Sequence, residues 1–151
     1  MKKIAIIGSG QIGSRHLQGL AKIKEELEIT VIDPSVRSLE LARDRYLQVE
    51  ESDTKSKVNY SQSIPPFKEL DLAIIATSSD IRKKVINELL ELSSPNYVLI
   101  EKVAFQNLQD FKEIIHTFRD RGIKSWVNCP NRSFKSYKGL KQDLNNERPL
   151  E

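Results

Sequence analysis

Apolar positions along the chain switch between two periods. Short apolar stretches predict strands near Lys3 to Gly8, Ile29 to Asp33, Val58 to Tyr60, Leu72 to Thr77, Tyr97 to Glu101 and Lys124 to Asn128. Between them the spacing becomes helical, around Gln11 to Lys24, Val36 to Leu47, Asp80 to Leu92 and Leu108 to Arg121. Two stripes, Ile81, Val85, Ile86, Leu89 and Leu90, then Phe111, Ile114, Ile115 and Phe118, each fall on one helix face and read as core packing. Gly122 stands where a left-handed residue closes the later helix. Strand and helix in alternation predict an α/β fold: a doubly wound parallel sheet of about six strands with helices on both faces. The near-continuous apolar runs Ile4 to Ile7 and Leu72 to Ala76 suit its central strands. The charged stretch Glu50 to Lys57 reads as a surface loop, and Ser63-Ile-Pro-Pro-Phe67 as a turn into the fourth strand.

The first apolar run ends in Gly8, Gly10 and Gly13 at G-x-G-x-x-G spacing, and Asp33 closes the next run twenty residues after Gly13. Strand, glycines, helix and acid together form a dinucleotide-binding signature in its expected context. Gly8 permits the tight turn, Gly10 lets backbone approach a pyrophosphate, and Gly13 lets the helix pack closely on the sheet. Gly8, Ser9, Gly10, Gln11, Ile12 and Gly13 are therefore the candidate phosphate loop, where free amides and the helix dipole favour an anion. Asp33 sits where a carboxylate accepts hydrogen bonds from both ribose hydroxyls. A 2′-phosphate there meets a like charge, so NAD is preferred over NADP. Hydrogen bonds to a charged group contribute roughly 1.5 to 3 kcal/mol, about a ten- to hundredfold effect on affinity. Arg37 is close enough in sequence to soften that preference. The plainer alternative for Asp33 is a cap for the following helix through Pro34-Ser35.

The chain has 151 residues, 38% hydrophobic and 30% charged, which suits one soluble globular domain and excludes a second domain of full size. A net charge of +3, with Lys and Arg mixed among Glu and Asp along the helices, reads as solvated surface and implies no nucleic acid. No apolar run reaches membrane-spanning length, and the glycines and Arg15 interrupt any secretory signal after Met1-Lys-Lys. Cys129 is the only cysteine, so an internal disulfide and a cysteine metal cluster are both excluded, and a cytoplasmic location is expected.

Three stretches, Gly8 to His16, Leu72-Ala-Ile-Ile-Ala-Thr-Ser-Ser79 and Val98-Leu-Ile-Glu-Lys-Val103, make the chain resemble the N-terminal Rossmann domain of the Gfo/Idh/MocA oxidoreductases, with a weaker match over Val127 to Arg132. In that family the fourth-strand turn passes beside the cofactor's phosphates and nicotinamide ribose. The resemblance thus implies Thr77 and Ser78 as cofactor contacts, with serines where the family commonly has prolines. A serine-rich turn before the next helix is the alternative. The family's Glu-Lys-Pro motif is matched by Glu101 and Lys102, with Val103 replacing the proline. It implies Glu101 beside the cofactor and Lys102 as the catalytic residue. By that resemblance Lys102 would orient a substrate hydroxyl and help stabilise or relay its proton while hydride moves. The alternative is a surface lysine ending a strand. His16 reads as packing or hydrogen bonding near the glycine loop, His116 as solvent-facing and Cys129 as an inert thiol.

The resemblance implies residues 1–130 as the dinucleotide-binding domain and 131–151 as the start of a connection to a C-terminal substrate domain absent from this chain, with Ser136 to Asn145 a helix leading towards it. The terminal Leu150-Glu151 fits a truncated fragment, expected to bind cofactor with little turnover. The implied partner is a sugar-like small molecule, held through the missing domain of an enzyme that is a homo-oligomer when full-length. Two other functions fit the glycines and Asp33: a non-catalytic NAD-binding sensor or scaffold, and an S-adenosylmethionine-dependent methyltransferase. Gly13 and the Glu101-Lys102 pair argue against the latter.

Overall fold

A computed structural model describes residues 1–49 and 56–146. Six strands form one sheet: β1 (Lys2–Ile7), β2 (Leu27–Ile32), β3 (Lys57–Ser61), β4 (Leu70–Ile75), β5 (Pro95–Glu101) and β6 (Lys124–Asn128). The helices are α1 (Gln11–Leu20), α2 (Val36–Leu47), α3 (Arg82–Leu92), α4 (Leu108–Asp120) and α5 (Lys135–Asn146), with a 3-10 turn over Pro130–Ser133. Every strand pair is parallel, in the order β3-β2-β1-β4-β5-β6. The chain therefore winds outward from β1 in one direction, returns, and winds outward from β4 in the other. The two most continuously apolar runs occupy the centre, as their composition predicts, because a central strand is covered on both faces.

Alternation along β1 divides the core. Ile4 and Ile6 pack with Leu17, Leu39 and Ala42 of α1 and α2, while Ala5 and Ile7 pack on the opposite face with Ile86, Leu89, Ile114 and Phe118 of α3 and α4. Among the described residues no helix is long and apolar enough to cross a membrane.

Several boundaries differ from the periodicity. Helix α1 stops at Leu20 and not Lys24, because the chain tightens into turns in which the Lys22 and Ile23 amides donate to Gly19 and Leu20 carbonyls. Strand β2 starts two residues early, at Leu27, which is buried despite its charged neighbours. Lys57 joins β3 and is not loop, pairing with Glu28 in the register, and the preceding Ser56 accepts the Leu27 amide at 3.2 Å; residues 50–55 of the expected loop lie outside the described residues. Ile81 leaves the core stripe, being 46% exposed ahead of α3, and Phe111 is also partly exposed, edge-on to Phe105. Gly122 adopts the left-handed conformation expected of it, at φ +67°. Helix α5 covers the expected Ser136 to Asn145, and the Leu150-Glu151 end lies outside the described residues.

Candidate functional site

The two winding directions part between β1 and β4, and a crevice opens beyond the carboxyl ends of these strands, where open α/β sheets bind ligands. Gly8 leaves β1 at φ +93°, a conformation that favours glycine. Its amide donates to the Ile32 carbonyl at 2.8 Å, and a Cβ there would lie 2.8 Å from the Thr77 nitrogen. A Cβ at Gly13 would lie 1.8 Å from the Gly8 carbonyl oxygen. Gly10 is different: a Cβ there would meet nothing within 4 Å. Two glycines are thus demanded by the packing of the chain on itself. The third faces open space, which fits a phosphate approaching the backbone. Gly10 is also the N-cap of α1, and no side chain caps that helix, so its first amides keep their capacity for an anion. Gln11 and Ile12 stand exposed on the first turn.

Asp33 connects this loop to β2. Its Oδ2 accepts the Ser9 amide at 2.8 Å and its Oδ1 accepts the Ser35 amide at 2.9 Å. The cap of α2 is Ser35, whose Oγ accepts the Ser38 amide at 3.2 Å. Asp33 is therefore not the helix cap. A carboxylate has about four acceptor sites, so two amides leave capacity for hydroxyl donors. Arg37 is exposed on the first turn of α2 and lies outside the wall of the crevice.

The crevice, about 540 Å³, runs from Gly8 and Asp33 past Gln62 and Ser63 to Thr77, Ser78, Ile81 and Lys84. That volume lies within the usual range for small-molecule sites. Two buried hydroxyls, Thr77 Oγ1 in its wall and Ser9 Oγ in the glycine loop, have no hydrogen-bond partner among the described residues. Buried polar groups are normally satisfied, so these fit a polar ligand. The Ser78 hydroxyl is directed elsewhere: it donates to the Asp80 carboxylate and helps hold that group below its ordinary pKa.

Lys102 follows β5 directly, and its side chain is exposed. The Lys102–Val103 peptide bond is cis. Glu101 turns inward: its Oε1 lies 2.7 Å from His16 Nε2 and accepts from Asn128 Nδ2 at 2.6 Å. Burial pushes the Glu101 carboxyl pKa up, but the bonds from Asn128 and His16, the His16 charge and the Lys102 amide together hold it below the usual range. One carboxylate thus joins α1, β5 and β6. His16 has the hydrogen-bonding place expected of it, and His116 is exposed, 3.3 Å from Asp120.

Two residues at this end of the sheet escape the sequence reading. Asn128 was legible in principle, because parallel register sets it beside Glu101 at the strand exits. Arg82 reads as one more cation on a mixed-charge helix, yet it is only 2% exposed, and its guanidinium donates to the carbonyls of Thr77, Glu101, Val103 and Ala104.

Comparison with known proteins agrees with this geometry. The family described as "Oxidoreductase family, NAD-binding Rossmann fold", GFO_IDH_MocA, matches residues 2–129. A comparison with curated protein sequences returns no match. Among solved structures, the WlbA dehydrogenase of Chromobacterium violaceum, in complex with NADH and UDP-GlcNAcA, superposes with a TM-score of 0.77 at 20% identity, covering 97% of this chain and 40% of that one. The WlbA (WbpB) dehydrogenase of Thermus thermophilus, in complex with NAD and alpha-ketoglutarate, gives 0.74 at 18% identity, covering 99% and 48%. The myo-inositol 2-dehydrogenase of Lactobacillus plantarum gives 0.73 at 16% identity, covering 96% and 41%. At such identities the superpositions establish the fold, and the chain spans less than half the length of each of these three proteins. The sequence match extends from the start of β1 to just past the end of β6, and by it the chain belongs to the Gfo/Idh/MocA oxidoreductases as their NAD-binding Rossmann domain.

Proposed function

We propose that the domain binds NAD(H) at this crevice and, within a longer protein, serves hydride transfer between nicotinamide and a secondary hydroxyl of a sugar, cyclitol or nucleotide sugar. The observation that carries the reading is a convergence: the glycine turn of β1, Asp33 of β2, Thr77 beyond β4 and Lys102 beyond β5 all lie at the carboxyl end of one sheet. The redox chemistry is the cofactor's when bound. The residues of Gly8 to Gly13 present backbone to the pyrophosphate, with the uncapped start of α1 favouring its charge. The free hydroxyls of Ser9 and Thr77 supply hydrogen bonds nearby. Asp33 accepts the ribose hydroxyls and disfavours a 2′-phosphate, so NAD is preferred over NADP, with Arg37 softening the preference. Lys102 orients the substrate hydroxyl and holds or relays its proton. Glu101, engaged with His16 and Asn128, holds the start of the Lys102 loop.

In this reading residues 1–130 form the cofactor domain, 131–151 begin the connection, and further chain completes the substrate pocket and the homo-oligomer. Trp126, Phe134 and Tyr137, each about half exposed, mark the face on which that part docks. The protein works in a reducing cytoplasm, consistent with Cys129 as the single, free thiol. The 151-residue chain binds cofactor with little turnover; oxidation of a sugar by this chain alone at an ordinary enzymatic rate contradicts the reading.

Lys102→Ala in the longer protein tests the catalytic assignment. Loss of about 10²- to 10⁴-fold in turnover, the usual worth of a positioned acid or base, with NAD⁺ affinity retained supports the enzyme. Unchanged function favours a non-catalytic NAD-binding module instead.

A further inference from the structure

Arg82 is the buried cation of this domain that the proposed chemistry leaves without a task. It opens α3, and only 2% of the residue is exposed. A buried guanidinium is costly unless its donors are satisfied. Here the acceptors are all main-chain carbonyls: Nη1 donates to Glu101 at 2.7 Å, to Ala104 at 2.9 Å and to Val103, and Nη2 donates to Thr77, while the buried Nε has no partner among the described residues. The carboxylates of Glu101 and Asp80 act on it through charge alone and partly offset its burial.

The choice of carbonyls is informative. Those of Glu101, Val103 and Ala104 flank Lys102 on both sides, so the backbone carrying that lysine is held before and after it while its side chain stays exposed. The carbonyl of Thr77 belongs to the neighbouring loop, beyond β4, whose adjacent amide at Ala76 donates to Ile7 at the end of β1. Strands β4 and β5 pair in register up to Ile75 and Ile100, after which the ladder ends and the two loops separate. Beyond that point Arg82 spans them. The planar fork of a guanidinium, with five donors in fixed directions, suits this bridge; a lysine ammonium is a single point and cannot reach both loops at once.

We propose that Arg82 is a positioning residue, a brace that fixes the Lys102 loop against the Thr77–Ser78 loop and so sets the spacing between the candidate proton-handling amine and the cofactor crevice. The significance of that spacing rests on the proposed function, but the brace itself is testable without cofactor or turnover.

The experiment is amide hydrogen exchange on the 151-residue chain and on Arg82→Lys and Arg82→Ala, with and without ethylguanidinium, followed by NAD⁺ titration of each. Local opening raises exchange only where structure is released, whereas a general loss of stability raises it across the sheet. The expected result is faster exchange by about tenfold or more in residues 77–81 and 102–106 together, with Ile6 and Ile29 unchanged, the equivalent of losing one hydrogen bond to a charged group. Ethylguanidinium added to Arg82→Ala restores protection in both loops. NAD⁺ affinity falls by about tenfold in Arg82→Lys, because the cofactor then has to order the loops it meets. A uniform rise across the sheet, release of only one loop, or unchanged NAD⁺ affinity overturns the proposal. Failure of both variants to fold also overturns it, since the residue then supports the whole fold. Absence of NAD⁺ binding by the unmodified chain contradicts the proposed function and leaves the exchange result to decide the brace on its own.

Discussion

At the scale of single residues, the glycines separate fold from ligand. Gly13 abuts the Gly8 carbonyl so closely that Gly13→Ala forces backbone apart, and a loss of about 3 kcal/mol, the upper end of overpacking costs, is expected in denaturant unfolding. Gly10→Ala adds a methyl group to open space and costs only about 1 kcal/mol as a poorer helix N-cap, while NAD⁺ affinity falls at least about tenfold. Loss of both properties in Gly10→Ala contradicts the division. Glu101 gives a pH signature. Its carboxyl is held below the ordinary glutamate value of about 4.5, so the stabilisation is present above that value and is lost as pH falls through the folded-state pKa. Glutamine approximates the shape of the protonated acid. Glu101→Gln should therefore melt well below the parent near neutral pH, with the gap closing as pH falls through the lowered folded-state pKa; a constant gap at all pH values excludes this linkage. The places of Asp33 and Lys102 just past the ends of β2 and β5 were legible in the sequence, Asp33 from its spacing after the glycines and Lys102 from the family resemblance. Arg82 was not, because burial of a charge depends on which carbonyls the folded loops bring together.

The elements were read from periodicity with little loss, since each predicted apolar run found a place in the sheet or on a helix face. What periodicity cannot settle is where a stripe stops being core. Leu89 and Ile81 share one predicted helical stripe, but Leu89 is fully buried whereas Ile81 precedes α3 and lines the crevice. Leu89→Ala should cost about 2–5 kcal/mol in unfolding measurements, as deletion of a buried leucine does. Ile81→Ala should leave stability within about 0.5 kcal/mol and weaken NAD⁺ several-fold through lost apolar contact. Equal destabilisation by the two changes would return Ile81 to the core. The boundaries of α1 and β2 shifted for a related reason: Leu27 joins the core cluster on one face of the sheet and Leu20 packs against it, which a single-sequence period does not contain.

At the scale of the whole molecule, strand order is what turns separate motifs into a site. The reversal between β1 and β4 brings together residues as distant in sequence as Gly8, Asp33 and Thr77, and a crevice of about 540 Å³ opens at that reversal. The sequence alone could order these strands by analogy with its glycine motif. It could not reveal that Glu101 joins His16 and Asn128, a contact made only when β5 lies beside β6 and α1 crosses above. The most direct test of the account is calorimetric titration of the chain with NAD⁺, NADP⁺ and S-adenosylmethionine, repeated on Asp33→Ala after its folding has been checked by thermal melting. Saturable binding that favours NAD⁺, weakened about ten- to hundredfold by the substitution, is the predicted result. Absence of NAD⁺ binding, tighter binding of S-adenosylmethionine, or an affinity indifferent to Asp33 would contradict it.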